Sequence, residues 1–266
     1  MRSYLTAGAT GILAFCVTLH ASILPTLQLD SNTLKAYSDY ISEFENTISA
    51  QFYATGKLWI DGDPRKSAFD AGKFIVEPRE NQDVANGSIH HFSGVVHVKG
   101  GTIAGVRRVM EDYPGYPKYF KPDVGAASGE MVSDSTPADE HFHSKLLLTQ
   151  STLWINVTYE ALYDTHYKKL DRDRWTSRSA AIGIRELLDP KNASGGAYPE
   201  GNDHGFLWKT NTYWFAREQN GGIDLEADSI ALSRPNVTGF AWWGTKRSHD
   251  AVEKMLRDVK AAIEVR

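Results

Sequence analysis

Between positions 124 and 233 the chain is an almost unbroken succession of strand-like segments, and one long amphipathic segment closes it. Strands are expected at 124–134, 141–152, 155–167, 175–187, 206–218 and 223–233, each rich in β-branched or aromatic residues and bounded by turn residues. In the closing segment Ser248 is the expected N-cap and Asp250 sits in the first turn, where negative charge suits the helix dipole. Val252, Met255, Leu256, Val259 and Ile263 then share one face, with Glu253, Arg257, Asp258 and Lys260 off it. A meander followed by such a helix has one place to bury that stripe, across a face of the sheet. The fold class is therefore α+β.

Upstream, 89–99 reads as a strand ending at Gly100-Gly101. Thr102 is placed to cap a helix carrying Val106, Val109 and Met110. Tyr113-Pro114-Gly115-Tyr116-Pro117 breaks that helix, and a second short turn follows before Pro122. Asn220-Gly221-Gly222 predicts a tight hairpin, because Asn and Gly accept the positive φ such turns demand. Residues 189–205 form a loop rich in Gly, Asn and Pro. Ahead of all this, Leu34, Tyr37, Ile41, Phe44 and Ile48 recur at spacings of 3 and 4 after Asp30 or Ser31, the stripe of a helix that needs a partner surface. A further strand is expected at 73–77. Residues 22–87 thus read as an N-terminal extension and 88–266 as the principal domain.

The order strand, two short helices, six strands, helix resembles the helix-grip fold of the START-like, or SRPBCC, superfamily. The stretches 95–119, 207–215 and 220–235 are similar to its bacterial members, and the resemblance covers about residues 88–266. It implies a curved antiparallel sheet of about seven strands wrapped around the C-terminal helix, with a deep apolar cavity between them. It does not imply one chemistry, because transporters, receptors and enzymes share the shape. The function expected first is binding of a small hydrophobic or lipid-like ligand without a cofactor. Asn211 and Tyr213 would come from the sheet, Met255 and Val259 from the final helix, and Tyr116 from the lid-like segment 112–120. The alternatives are an enzyme on the same scaffold, cyclase- or hydrolase-like, with Glu186 or a histidine as its first titratable candidate, and a cell-envelope module that docks partners through the extension.

The first residues point to export. Arg2 is followed by a stretch without charge to Ala21, its apolar part centred on Ile12 to Val17, which is the layout of a signal peptide cut after Ala21. The mature chain would be periplasmic or secreted, and would hold no cysteine, since Cys16 is the only one. With no other run approaching about 20 apolar residues, no stable membrane span is expected there, though transient membrane contact is compatible with the sequence. A formal net charge of −4 provides no global basic field for nucleic acid.

No catalytic signature stands out. Gly-Xaa-Ser-Xaa-Gly, a phosphate loop and His-Glu-Xaa-Xaa-His are all absent. His141 and His143, two apart, share a strand face, and His91 shares one with His97; hydrogen-bonded or exposed strand histidines are the favoured reading over a metal site. Asp224, Glu226 and Asp228 also share a face, which is expected to be solvated because three like charges are costly to bury. The opposite face, with Ile223, Leu225, Ala227 and Ala231, is expected to turn toward the helix. Trp242-Trp243 reads as a packed core pair, with a membrane-touching tip or a pocket mouth as the other readings.

Overall fold

The computed structural model describes residues 25–151, 156–235 and 241–264; the expected signal peptide and the Trp242-Trp243 side chains lie outside what is described. Its elements in chain order are β1 (Leu27–Gln28), α1 (Ser31–Phe44), α2 (Ala50–Thr55), α3 (Lys66–Asp70), β2 (Ile75–Val84), β3 (Gly87–Lys99), α4 (Ile103–Met110) and α5 (Tyr116–Tyr119). They continue with β4 (Val124–Met131), β5 (Asp139–Ser151), β6 (Asn156–Lys169), β7 (Arg174–Glu186), β8 (Asn202–Asp203), β9 (Lys209–Gln219), β10 (Gly222–Ser233) and α6 (Ala241–Glu264). Apart from the two-residue pair β1 and β8, the strands form one sheet of eight, ordered β2-β3-β10-β9-β7-β6-β5-β4, with every neighbouring pair antiparallel.

The sheet has one strand more than expected because β2, foreseen as a short piece of the extension, runs Ile75–Val84 and pairs along β3. It is an edge strand, and it tolerates Pro78 beside a register shift because its outer side needs no donor. The β9–β10 hairpin turns through Asn220 at φ 54° and Gly221 at φ 72°. Thr102 caps α4, its hydroxyl accepting from Gly105 N at 3.1 Å. Ser248 is not a cap: α6 begins seven residues earlier, at Ala241, because 241–247 contains no proline to stop it.

Helix α6 lies on one face of the sheet, over β2, β3 and β10, with α4 and α5 beside it. Val252, Leu256, Val259, Ala262 and Ile263 are buried there against Phe92, Val96, Val98, Trp214, Leu225 and Ala227. Gly94 makes the close approach: a Cβ at that position would stand 2.6 Å from Leu256 Cδ1 and 2.9 Å from Val252 Cγ1. Ile223, Leu225 and Ala227 face the helix as their alternation requires.

The opposite face overturns the expectation for the acidic triplet. Asp224, Glu226 and Asp228 are 1%, 2% and 1% exposed. Residues 31–70 fold back over that face, burying Tyr37, Ile41, Phe44, Phe52, Leu58, Ile60 and Phe69 against Ile89, Val95, Tyr213, Phe215, Ile230 and Leu232. The carboxylates pass beneath this layer because each finds a partner. Asp224 accepts from Arg217 Nη2 at 3.0 Å and meets His97 Nδ1 at 2.7 Å. Asp228 meets His91 Nε2 at 3.0 Å and accepts from Ser93 Oγ. Glu226 accepts from the backbone N of Trp59 at 2.9 Å. Arg217 also clasps Asp61 at 2.5 and 2.7 Å, tying the layer to the sheet. A buried charged or polar group is tolerated only when it is partnered in this way.

Candidate functional site

The face that α6 covers continues past it. On β5, β6 and β7 this inner face carries Leu146, Leu148, Tyr159, Ala161, Tyr163, Ala181 and Ile184, a second apolar cluster separate from the one under α6. Alternation places these residues on the helix side: Tyr167, which packs with Trp175 and Trp214 beneath α4 and α6, is in step with Tyr163, Ala161 and Tyr159 along β6. Between the two clusters runs a row of small polar residues, Ser144, Thr165, Ser177 and Ser179, with Thr165 Oγ1 donating to Ser179 Oγ at 3.0 Å.

Three tyrosines close one side of it. Tyr116 and Tyr167 both donate to the carbonyl of Met110, at 2.6 and 2.7 Å, and the Tyr113 and Tyr167 hydroxyls lie 2.9 Å apart. The carbonyl is free to accept both because it lies at the end of α4, where no backbone donor follows in register. Burial pushes all three phenols above the ordinary tyrosine value, so they act as hydrogen-bonding groups and not as acids.

At the far end β7 finishes on Glu186, and the loop after it returns His204 to its side. His204 Nδ1 is 2.6 Å from Glu186 Oε1, and His204 N donates to Oε2 at 3.2 Å. The imidazole is held edge-on by Tyr198 and stacked by Phe206. Both partners of the pair are almost fully buried. Burial raises the Glu186 pKa, with His204 opposing the shift. Burial also raises Asp203, whose Oδ1 accepts from Gly205 N at 2.7 Å and from Trp208 Nε1 at 3.0 Å. A buried carboxylate–imidazole pair at the edge of an apolar surface can orient a polar ligand group or move a proton.

The five residues selected from the sequence do not converge. Tyr116, Met255 and Val259 lie on the helix side, among the cluster beneath α4 and α6. Asn211 and Tyr213 are on the other face, under the N-terminal layer. There Tyr37 donates to Asn211 Oδ1 at 3.0 Å, Asn211 Nδ2 donates to the Tyr213 hydroxyl at 3.1 Å, and Tyr213 donates to Glu45 Oε1 at 2.7 Å. Sequence alternation put Asn211 and Tyr213 together but was silent on which face they occupy, because both faces of β9 are buried and both are aromatic. Val259, on α6, is fully buried among protein side chains, so its position is core. Glu186 was legible as a titratable candidate; His204 was not, because it lies in an irregular loop and reaches Glu186 only through the return of that loop.

One strand, two short helices, six long strands and a closing helix, with the first of those strands hydrogen-bonded to the last, make up the sheet and its cover from β3 to α6. The fold is START-like. No family model matches the chain, and no curated protein matches it. Solved structures similar to it include the STAR-related lipid transfer protein from Xanthomonas axonopodis, at 16% identity and a TM-score of 0.46, covering 71% of this chain and 98% of that one. Human STARD10 is 11% identical with a TM-score of 0.41, covering 78% of this chain and 80% of that one. The Zhui aromatase/cyclase from Streptomyces sp. R1128 is 13% identical with a TM-score of 0.36, covering 66% and 94%. In this START-like sheet β2 and the layer of residues 31–70 lie outside the helix-grip order, added beyond β3 and over the outer face.

Proposed function

We propose that the chain binds a small hydrophobic or amphipathic molecule on the inner face of its sheet, over β5, β6 and β7. The observation that carries this reading is the extent of that face relative to its helix. Helix α6 covers β2, β3 and β10, while the apolar face continues across three more strands, buried at Tyr159, Ala161 and Ile184 and half-buried at Leu146 and Leu148, and ends at the Glu186–His204 pair. Apolar walls with a few fixed polar groups are the composition of a ligand site. The driving force is removal of ligand area from water, about 25 cal/mol per Å² before association costs. Native mass spectrometry of the purified chain, with displacement of an environment-sensitive fatty-acid dye, tests it. The expected result is a bound apolar molecule, and dye affinity lowered by Leu146→Trp or Leu148→Trp, which occupy the face from half-buried positions. A chain free of apolar cargo that displaces no dye defeats the proposal.

A second reading, catalysis on the same face, rests on the Glu186–His204 pair, whose carboxyl burial makes less acidic. His204→Gln should then abolish conversion of the extracted ligand while leaving dye binding in place; return of that ligand unchanged by the unaltered chain ends this reading. Export through residues 1–21 is part of the same proposal, supported by the uncharged apolar run after Arg2. N-terminal sequencing of secreted material should start at Ser22.

A further inference from the structure

The outer face of the sheet beyond the N-terminal layer carries a second polar constellation that the ligand face does not use. His141 and His143 on β5 stand opposite His166 and Asp164 on β6, a two-by-two block on one face of adjacent strands. Three imidazole Nε2 atoms surround one carboxylate. His141 Nε2 is 2.8 Å and His143 Nε2 3.4 Å from Asp164 Oδ2, and His166 Nε2 is 3.5 Å from Asp164 Oδ1. The ligating atoms of His141, His143 and Asp164 all lie within 4.8 Å of one another.

Hydrogen bonding accounts for one of these contacts and not for the others. The 2.8 Å contact is a good hydrogen bond; 3.4 and 3.5 Å are too long for strong ones. Yet about 3.3 Å is the separation between ligand atoms around a tetrahedral ion bound at about 2.0–2.1 Å. The far side of the block is also built. His141 Nδ1 is 2.6 Å from Asp134 Oδ1, and His166 Nδ1 is 2.9 Å from Asp139 Oδ1. Carboxylates on Nδ1 fix the ring orientation and leave Nε2 for an ion, the arrangement that backs metal-bound histidines. The neighbouring cations are already engaged: Lys168 with Asp139 at 3.1 Å and Arg178 with Glu45 at 2.6 Å.

We propose that His141, His143 and Asp164 form a binding site for a divalent transition-metal ion of zinc type, with His166 beside the second carboxylate oxygen. Two imidazoles and one carboxylate suit zinc better than calcium or magnesium, which take oxygen ligands. Three protein ligands leave a coordination position open. Of the three, His143 lines a groove of about 400 Å³ together with Ser128, Glu130, Lys145, Leu162 and Ile182.

The test uses the full chain without a polyhistidine tag. Zn²⁺ is titrated against a chromophoric chelator, and Co²⁺ binding is followed by the intense visible bands of tetrahedral cobalt. One tight equivalent is expected, unaffected by excess Mg²⁺ or Ca²⁺. His143→Ala should remove it without lowering the melting temperature, because His143 is half-exposed. Asp134→Asn, which touches no ion, should weaken it about ten- to a hundredfold. Absence of a tight Zn²⁺ equivalent overturns the proposal, as does binding that survives both His143→Ala and Asp164→Asn.

Discussion

Glu226 offers the sharpest test of how the outer face is held. It is 2% exposed, its Oε2 accepts from Trp59 N, and Asp228 is its acidic neighbour. Burial first, and the negative charge of Asp228 second, hold its pKa well above the ordinary 4.5. For a carboxyl raised on folding, the stabilising contribution is complete below 4.5 and is lost as pH rises through the folded value. Because the folded value lies above the unfolded one, retaining the proton costs stability as pH rises between them, at about 1.4 kcal/mol per pH unit. Glu226→Gln removes the cost. The amide keeps an acceptor for Trp59 N and supplies a donor toward Asp228, whose Oδ2 has no hydrogen-bond partner among the described residues. The variant should match the unaltered chain near pH 4.5 and exceed it by about 1–3 kcal/mol near pH 7. Urea unfolding followed by tryptophan fluorescence at both pH values measures the gap. A gap that is the same at both, or a variant less stable near pH 7, refutes the assignment of a buried, proton-retaining carboxyl.

Other variants probe the remaining contacts. Arg217→Ala strands Asp224, 1% exposed, without its guanidinium and should cost about 3–5 kcal/mol in urea unfolding; a loss below 1 kcal/mol would show the pair to be dispensable. Leu256→Ala, in the fully buried seam between α6 and β3, should cost about 2–5 kcal/mol by the same measurement. Gly94→Ala should cost about 1–3 kcal/mol because its methyl meets Leu256 and Val252, and pairing it with Leu256→Ala should recover part of that loss; strict additivity would show that α6 does not press on Gly94. Leu146→Trp should lower dye affinity while leaving unfolding nearly unchanged; equal binding would move the ligand off β5.

Periodicity made much of this molecule legible. The strands of the meander, the Asn220-Gly221 turn, the Thr102 cap and the stripe on α6 all follow from local rules, since turns, caps and alternation depend on residues close in the chain. The same rules divided β10 correctly into two faces but could not say what covers each. Asp224, Glu226 and Asp228 look like a solvated row because the cost of burying carboxylates is visible in the sequence, whereas the compensation is not. Arg217, His97, His91, Ser93 and the backbone of Trp59 come from other elements. Tertiary structure likewise separated Asn211 and Tyr213 from Met255 and Val259, because a strand buried on both sides carries no mark of which side meets the helix. It also brought His204 to Glu186 and set three imidazoles around Asp164, juxtapositions that depend on a loop's return and on strand register. Local backbone preference determined which elements form; the partners that make a charge tolerable, and the faces that meet, were decided only when distant segments packed together.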